Sequence, residues 1–352
     1  MLGGRLAKEA ILSGVGNVYI WDFDRTEAHN LGNQFGRIGH GKTEYLVAEC
    51  DALRPGHCRG IDADIRHTGI KQLQACDILV DCTDDPRLAW TLTEISNGIG
   101  RPLLRAAVDG TGQQELGRVL ASGTAPDSAC QLCSFALDDV IRHRQRRSCP
   151  GSRTGGTTPT LAGGALGSVV AGIALLQAQR LQTGNDLEHV IDREIVVDLT
   201  NMQLHELRLE RSDKCLSGHR RWELTSLEFA VDSNTLDDLF SAVTRHIDCS
   251  DRPPTGELEL GFYLHPLHTQ AYCSCGATLS AVGTSWAPTP SCPECGTATQ
   301  WLEGTQVDRL TRSLAAELHL LERPLAALGL PTGVMVLVHT RHGTIRRLVT
   351  SN

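Results

Sequence analysis

Cysteine and histidine residues occur at metal-ligand spacing in two parts of the chain. Cys130 and Cys133 form a C-x-x-C pair, and Cys215 and His219 form a C-x-x-x-H pair far downstream. Three thiolates and one imidazole match a closed tetrahedral zinc site. A C-x-x-C pair alone would also suit a redox disulfide, but the second pair of ligands favours zinc.

A second cysteine cluster follows the pattern C-x-C-G…C-P-E-C-G, with its four sulfur ligands at Cys273, Cys275, Cys292 and Cys295. The glycine after the second cysteine of each pair permits the tight turn of a zinc ribbon. A disulfide interpretation needs an oxidising compartment, which nothing else in the sequence supports. We therefore predict two structural Zn²⁺ ions per chain, with the ribbon over residues 273–295.

Cys149 is a candidate nucleophile. Three arginines surround it, Arg146, Arg147 and Arg153, and nearby cations favour the nucleophilic thiolate form. An ordinary loop thiol explains the residue equally well.

Three further groups could bind a nucleotide. Asp22 ends a strand-like segment, where an acid commonly binds a ribose hydroxyl. Lys42 follows the tripeptide GHG and opens a helix, so its ammonium could hold phosphate oxygens. Asp84 and Asp85 follow an apolar strand directly, and paired carboxylates suit Mg²⁺. The alternatives are a surface turn for Asp22 and a helix N-cap before Pro86 for the acidic pair.

In this order, the segments resemble the ThiF/MoeB/HesA family, bacterial adenylyltransferases related to ubiquitin-activating enzymes. The string GVGNVYIWDFDRTEAHNLGNQ…GK…CDILVDCTDDPR, followed by C-x-x-C, is similar to the family pattern GVG…D-x-D…NLxRQ…G-x-x-K…DxTDN. The resemblance covers about residues 3–222 and implies a Rossmann-like fold that binds ATP and Mg²⁺. Such enzymes activate the C-terminal glycine of a ubiquitin-like or sulfur-carrier protein as an acyl-adenylate and release pyrophosphate.

The resemblance also implies roles for individual positions. Asp22 would hold the ribose, Asn30 and Lys42 would contact the phosphates, and Asp84 would hold Mg²⁺, whose charge offsets that of the reacting phosphate. In thioester-forming members, a cysteine on a flexible crossover segment takes the acyl group from the adenylate, and Cys149 is the best-placed candidate for it in this sequence. The implied catalytic residues are Cys149, Lys42, Asp84 and Arg37, and the implied nucleotide-binding residues are Gly3, Gly4, Asp22, Asp24, Asn30, Gln34, Lys42 and Asp84.

The chain departs from the family pattern at two places. Asn33 stands where the family carries the arginine of NLxRQ, and an amide cannot supply the charge of a guanidinium. Arg37, four residues on, is the candidate replacement. Gly3 and Gly4 match only the tail of the glycine-rich loop, so we expect either a start codon assigned too far downstream or a degenerate family member.

The elements that must position these residues alternate between helix and strand. Helices are predicted at 5–13, 42–53 and 87–96, and strands at 17–21, 76–82 and 102–108, followed by a hairpin of 193–199 with 204–209. This alternation predicts an α/β fold with a doubly wound, mostly parallel sheet in a domain of residues 1–222. Residues 223–352 form a second, α+β region that contains the ribbon, with helices predicted at 236–247 and 307–321 and strands at 258–264, 334–339 and 344–349.

Composition limits the partners and the compartment. The 352 residues carry a formal net charge of -8, which disfavours nucleic acid or an anionic membrane as a partner. Thirteen cysteines, an odd number, without an N-terminal signal segment indicate a reducing cytoplasm. Residues 154–179 lack charge, and we interpret them as a buried helix of a large fold or a homodimer and not as a membrane span.

The leading hypothesis is therefore a cytoplasmic, homodimeric enzyme that adenylates a small carrier protein. The first alternative is a pseudoenzyme that binds a ubiquitin-like protein as a zinc-stabilised scaffold, which Asn33 and the incomplete glycine loop favour. The second is a nicotinamide-dependent oxidoreductase, suggested only by the Rossmann-like pattern. Lys42 and the acidic pair at the sheet edge disfavour the oxidoreductase.

Overall fold

The computed structural model describes residues 2–32, 36–110, 115–125, 127–134, 163–247, 256–342 and 345–351. The helices in these residues are α1 (Leu2–Leu12), α2 (Lys42–Leu53), α3 (Ile70–Gln74), α4 (Pro86–Ile99), α5 (Gly164–Thr183), α6 (Leu236–His246) and α7 (Arg312–Glu317). The strands are β1 (Val18–Trp21), β2 (Cys58–Ile61), β3 (Leu79–Asp81), β4 (Leu103–Gly110), β5 (Glu115–Ser122), β6 (Arg193–Asp198), β7 (Gln203–Arg208), β8 (Leu224–Leu227), β9 (Glu259–Phe262), β10 (Leu267–Tyr272), β11 (Thr278–Thr284), β12 (Gln300–Trp301), β13 (Gln306–Val307), β14 (Met335–His339) and β15 (Ile345–Thr350).

The chain divides into two units, each described by itself below. The first comprises Met1–Ile65 and Cys76–Arg221, and the second comprises Arg66–Ala75 and Trp222–Asn352. The segment 66–75 lies within the predicted first domain of residues 1–222, yet it packs within the second unit.

The first unit has the predicted α/β architecture, which is confirmed. Strands β1 and β2 pair in parallel, and so do β3 and β4. From β4 onward the five-stranded sheet β3-β4-β5-β6-β7 continues in antiparallel pairs. Among the described strands of this unit, the parallel pairs are therefore those of β1 to β4, the part of the chain that carries the nucleotide-site candidates.

Helix α5 covers one face of this sheet. Leu166, Val170 and Ala174 are fully buried and belong to one hydrophobic cluster with Leu104 and Val119 of the sheet. The opposite face of α5 is exposed at Val169 and Leu176. By length and composition alone, α5 could cross a membrane, but one side of it packs on β4, β5 and α1.

The second unit is built on the sheet β8-β15-β14-β9, in which β8 runs parallel to β15. Helix α6 begins at a capping box in which Thr235 and Asp238 bond each other's backbone N–H, an arrangement that satisfies two free helix donors. Its buried face, including Leu239 and Phe240, joins the core of this unit together with Leu260. Strands β10 to β13 form a separate small sheet, and the ribbon cysteines lie in the segments that connect β10 to β11 and β11 to β12.

Segment 66–75 is held in the second unit by contacts that are distant in sequence. The Lys71 N–H donates to the Gly333 carbonyl, and the Gln72 amide donates to the Thr332 hydroxyl. The His67 ring stacks on Trp286 with 5.3 Å between the ring centroids. Such long-range contacts have no signature in the local sequence of the segment.

The helix predicted over 307–321 is wrong at both ends, since the helix spans only Arg312–Glu317. Val307 pairs with Leu267 in the ribbon sheet, and α7 begins only at Arg312. Thr311 is its N-cap, because the hydroxyl accepts the Leu314 N–H at 3.1 Å. Pairing with a distant strand therefore overrides the local helical pattern.

Candidate functional site

The first metal-ligand cluster joins two segments that flank the sheet of the first unit. Cys130 and Cys133 lie at the 3-10 turn Gln131–Ser134, and Cys215 and His219 lie in the turn that follows β7. The Cys130 N–H donates to Cys133 Sγ at 3.3 Å. His219 has φ of 50°, a left-handed conformation that aims its ring back toward the cysteines. The predicted C-x-x-C and C-x-x-x-H pairs therefore meet.

The distances within this cluster match a tetrahedral site. Cys130 Sγ lies 3.9 Å from Cys133 Sγ and 3.5 Å from Cys215 Sγ, and His219 Nε2 lies 3.1 Å from Cys133 Sγ. Zinc–sulfur bonds of about 2.3 Å place neighbouring sulfurs about 3.8 Å apart in a tetrahedron. The hydrogen bond from Cys130 lowers the pKa of Cys215, so the Cys215 sulfur is the one of this pair that carries the thiolate.

Two polar side chains support this cluster. Ser217 Oγ lies 3.3 Å from Cys215 Sγ and accepts a bond from the Asn97 amide at 3.1 Å. The Asp192 carboxylate accepts the Ala129 N–H at 2.9 Å, next to Cys130. Burial raises the pKa of Asp192, and the Ala129 bond opposes that shift. These contacts fix the ligand-bearing turns from outside, as second-shell partners of metal sites do.

The ribbon cysteines also converge. Cys273 Sγ lies 3.4 Å from Cys295 Sγ, and Cys275 Sγ lies 3.6 Å from Cys292 Sγ. All four ligand atoms lie within 4.8 Å of one another. The glycines after the two pairs, Gly276 and Gly296, have φ of 97° and 73°, which other residues rarely adopt. The predicted tight turns are confirmed.

Three nucleotide-site candidates, Asp22, Asp24 and Lys42, form a compact group around Asp24. Its carboxylate binds Lys42 Nζ at 2.8 Å, and its carbonyl accepts the Lys42 N–H at 3.0 Å. The Asp24 N–H in turn donates to Asp22 Oδ1 at 2.9 Å. Lys42 is the first residue of α2, and the N-terminus of a helix favours an anion. The end of β1 and the start of α2 thus bring together both acids and the lysine.

Asp22 has a perturbed carboxyl group. Partial burial raises its pKa, while the Asp24 N–H and the Lys42 ammonium lower it. A desolvated acid that already accepts a backbone hydrogen bond is suited to accept further hydroxyl donors.

Gly3 of α1 adjoins the acidic turn after β3, whereas Gly4 faces Leu46 of α2. A Cβ on Gly3 would lie 3.3 Å from Cys82 Cβ, so the first turn of α1 packs directly against the end of β3. Asp85 caps α4 by accepting the Arg87 N–H at 2.9 Å. The predicted N-cap alternative thus holds for Asp85, while Asp84 is exposed at the edge of the sheet.

The remaining candidates are only partly described. The Asn30 side chain accepts the Glu27 N–H at 2.8 Å, and Arg37 is exposed in the loop before α2. Asn33, Gln34 and Cys149 lie outside the described residues.

One buried network was not predicted. The Asp81 side chain is fully buried, and one of its oxygens accepts both the N–H and the hydroxyl of Thr83, at 2.9 and 2.7 Å. Its other oxygen lies 3.7 Å from Arg105 Nε. Burial raises the pKa of Asp81, and Arg105 opposes that shift. Asp81 is the second acid of the string CDILVDC, so the sequence carried a signal, but Arg105 as its partner follows only from the pairing of β3 with β4.

Comparison with known proteins places these sites in a family context. The model of the ThiF family matches residues 1–217. Adenylyltransferase and sulfurtransferase MOCS3 of Arabidopsis thaliana is 29% identical over 150 residues, covering 37% of this chain and 32% of that protein. The chain thus matches about a third of the length of this curated relative.

Solved structures with a similar course of the chain include E. coli MccB with succinimide, at a TM-score of 0.49 and 18% identity, covering 61% of this chain and 63% of that chain. E. coli MccB with ATP gives a TM-score of 0.47 at 18% identity, with 62% and 63% covered. Selenomethionine PaaA gives 0.46 at 15% identity, with 59% and 69% covered.

Proposed function

Because the chain belongs to the ThiF family, we propose that it is an ATP-dependent adenylyltransferase that activates the C-terminal glycine of a ubiquitin-like or sulfur-carrier protein. The observation that carries this proposal is the group of Asp22, Asp24 and Lys42 where β1 ends and α2 begins. In this group the acid would accept hydrogen bonds from the ribose hydroxyls. The ammonium and the helix N-terminus would bind the phosphates.

In the proposed reaction, a carrier carboxylate attacks the α-phosphorus of ATP. A bond forms between the carboxylate oxygen and phosphorus, and the bond to the bridging oxygen of pyrophosphate breaks. Asp22 binds the ribose, and Asn30 and Lys42 contact the phosphates, with Arg37 as an added cation. The other nucleotide-binding residues are Gly3, Gly4, Asp24 and Gln34. Mg²⁺ held by Asp84 would neutralise charge on the phosphates. Since Lys42 is paired with Asp24, ATP would exchange one anionic partner of the ammonium for another.

Zinc is the metal that we propose for both cysteine clusters. The donor sets, three thiolates with an imidazole and four thiolates, are those that select zinc. Cys130, Cys133 and Cys215 are largely buried with His219 beside them, so the site has no open position for a substrate. Its role would be to fasten the turn after β7 to the segment after β5.

A thioester step at Cys149 is the finer part of the proposal. The thiolate would attack the carbonyl carbon of the acyl-adenylate, form a thioester and release AMP. Its support is the resemblance to thioester-forming members and the arginines around the residue in sequence. Trapping of a thiol-sensitive carrier adduct that is lost in Cys149→Ala, but kept in Cys76→Ala, tests this step.

We also propose that the protein is a homodimer that pairs through the exposed face of α5. Ala165, Val169, Gly172 and Leu176 are exposed at a spacing of four, three and four residues, which forms one apolar stripe along a helix. A Cβ on Gly172 would meet nothing within 4 Å, so a second helix could approach closely there. A second copy of the chain would present the same uncharged surface across a two-fold axis.

A binding scaffold without catalysis is the second candidate, and Asn33 is the observation that favours it. The two candidates differ in one reaction. An active enzyme exchanges labelled pyrophosphate into ATP when its carrier is present, whereas a scaffold binds the carrier without exchange.

A further inference from the structure

The residue between the ligands of the first cluster reaches into the core of the first unit. Gln131 lies between Cys130 and Cys133 and is 2% exposed. Its amide NH₂ donates to the Ala89 carbonyl and the Thr93 hydroxyl, both on α4. Its carbonyl oxygen accepts from Arg105 Nη1 at 3.1 Å. A buried amide with both ends bonded is held in one orientation.

Arg105 links Gln131 to Asp81 at the end of β3. One edge of the guanidinium contacts Gln131, and Nε faces Asp81 Oδ2 at 3.7 Å. The other Asp81 oxygen binds the N–H and the hydroxyl of Thr83. Asp81 therefore fixes the turn that begins one residue later, and Asp84 follows Thr83 directly.

We propose that Gln131 and Arg105 are positioning residues that couple the Cys130–His219 metal cluster to the acidic turn at residues 82–85, so that Asp84 is held in place for Mg·ATP. The coupling within the protein follows from the contacts above, and only the benefit to Mg·ATP rests on the proposed function. The metal cluster then has a second effect beyond fastening two segments, because Gln131 between its ligands holds the arginine that lies beside the Asp81 carboxylate.

The chemistry of the buried carboxylate explains why such support is needed. Desolvation disfavours the ionised form of Asp81, and a buried charge without a partner is costly. If Arg105 turns away, Asp81 loses its only cationic contact in the described residues. Protonation or rotation of the carboxyl would then weaken both bonds to Thr83. The turn that carries Asp84 would become mobile without any change at Asp84 itself.

The test compares Gln131→Met with Arg118→Met. Methionine keeps about the volume of Gln131 but cannot accept the bond from Arg105, so Arg105 loses its positioning contact while both charges of the Asp81–Arg105 pair remain in the chain. Gln131→Met is therefore milder than Arg105→Met, which would leave a buried carboxylate without its cation. Arg118→Met removes another arginine–carboxylate pair of the same sheet, with Glu194 at 3.2 Å. Zinc content and thermal unfolding are measured first for both variants.

The direct readout is amide hydrogen exchange of residues 82–85 in the protein without nucleotide. Loss of hydrogen bonds worth about 1 kcal/mol speeds local exchange about fivefold. We expect that change in Gln131→Met with amides of β5 and β6 unaffected, and no change at residues 82–85 in Arg118→Met. Unchanged exchange at residues 82–85 in Gln131→Met, or equal acceleration over the whole unit, overturns the proposal.

The second readout is the Mg²⁺ concentration that half-saturates pyrophosphate exchange. We expect it to rise severalfold in Gln131→Met, while the KM for the carrier stays within about twofold of wild type. An equal rise in the half-saturating Mg²⁺ concentration and in the KM for the carrier contradicts the proposal that Gln131 positions Asp84. Failure of the wild-type protein to exchange pyrophosphate would refute the proposed function, and the amide exchange would still decide the coupling.

Discussion

Lys42 is bound to Asp24 twice, through its ammonium at 2.8 Å from the carboxylate and through its N–H at 3.0 Å from the carbonyl. The double contact clamps the start of α2 against the segment after β1. Because the backbone bond remains when the side chain is replaced, the position of the helix does not depend on the ammonium. The side chain can therefore be removed to test its chemistry separately from the fold.

Lys42→Met should lower kcat/KM for Mg·ATP in pyrophosphate exchange by about 100-fold, the usual loss when one stabilising donor of a reacting centre is removed. Its free energy of unfolding should fall by less than about 1 kcal/mol, since a partly exposed ion pair contributes little. Lys8→Met, which removes the Lys8–Glu49 pair of the same unit, is the matched control. Equal activity of the two variants would refute the phosphate-binding role of Lys42.

Metal analysis of protein purified without chelators should find two zinc ions per chain. Cys133→Ala should retain one ion, because only the first cluster loses a ligand. His219→Cys should retain both, since cysteine replaces one zinc ligand with another. Cys76→Ala, which lies outside both clusters, is the control and should keep two ions. One ion in the wild type, or none, would contradict the assignment.

His265 should make the second unit sensitive to acid. Burial lowers its pKa from 6.5 to about 4, so the folded state keeps the ring neutral while the unfolded chain takes up a proton. This contribution to stability is complete above pH 6.5 and is lost as the pH falls toward 4, by about 3 kcal/mol. Denaturant unfolding of wild type and His265→Gln at several pH values measures it.

In that comparison, His265→Gln should lose less stability between pH 6.5 and pH 4 than the wild type does. The slope of the free energy of unfolding with pH should differ between the two proteins by up to one proton taken up on unfolding. The exposed His246→Gln on α6 should follow the wild type. Loss of zinc from the ribbon at low pH affects all three proteins alike and cancels in the difference. An identical pH dependence of His265→Gln and wild type would exclude this contribution.

Val169→Arg should convert the proposed homodimer into a monomer, because it places a charge in the middle of the exposed stripe of α5. Leu204→Arg changes a residue of β7 that is 66% exposed and should leave the dimer intact. Light scattering during size-exclusion chromatography gives both masses. A wild-type monomer, or a dimeric Val169→Arg, would rule out this interface.

The parts that the sequence predicted depend on local patterns. Helix α2 spans Lys42–Leu53 as expected, since its glycine cap and the break before Pro55 are adjacent to it. Both cysteine clusters followed from spacing, because only a few turn geometries connect two ligands so close in sequence. The hairpin of β6 and β7 followed from two strand-like runs around Thr200 and Asn201.

The parts that the sequence did not predict depend on distant contacts. Strand β2 has only four residues, two of them exposed, and only its pairing with β1 marks it as a strand. The course of residues 66–75 into the second unit depends on Thr332, Gly333 and Trp286. The Asp81–Arg105–Gln131 network joins three elements that no motif links. Sequence spacing was therefore enough to predict the two cysteine clusters, whereas the contacts between distant residues that hold the sites in place are visible only in the folded structure.

Carrier-dependent exchange of labelled pyrophosphate into ATP tests the central claim most directly. The probes are small β-grasp proteins that end in glycine, each compared with a version that lacks this residue, with Mg²⁺ present or chelated. The account predicts exchange only with an intact C-terminal glycine and Mg²⁺, and a loss of about 100-fold in Lys42→Met. Binding of the carrier and Mg·ATP without exchange, or exchange that is equal with and without the C-terminal glycine, would contradict the proposed adenylation.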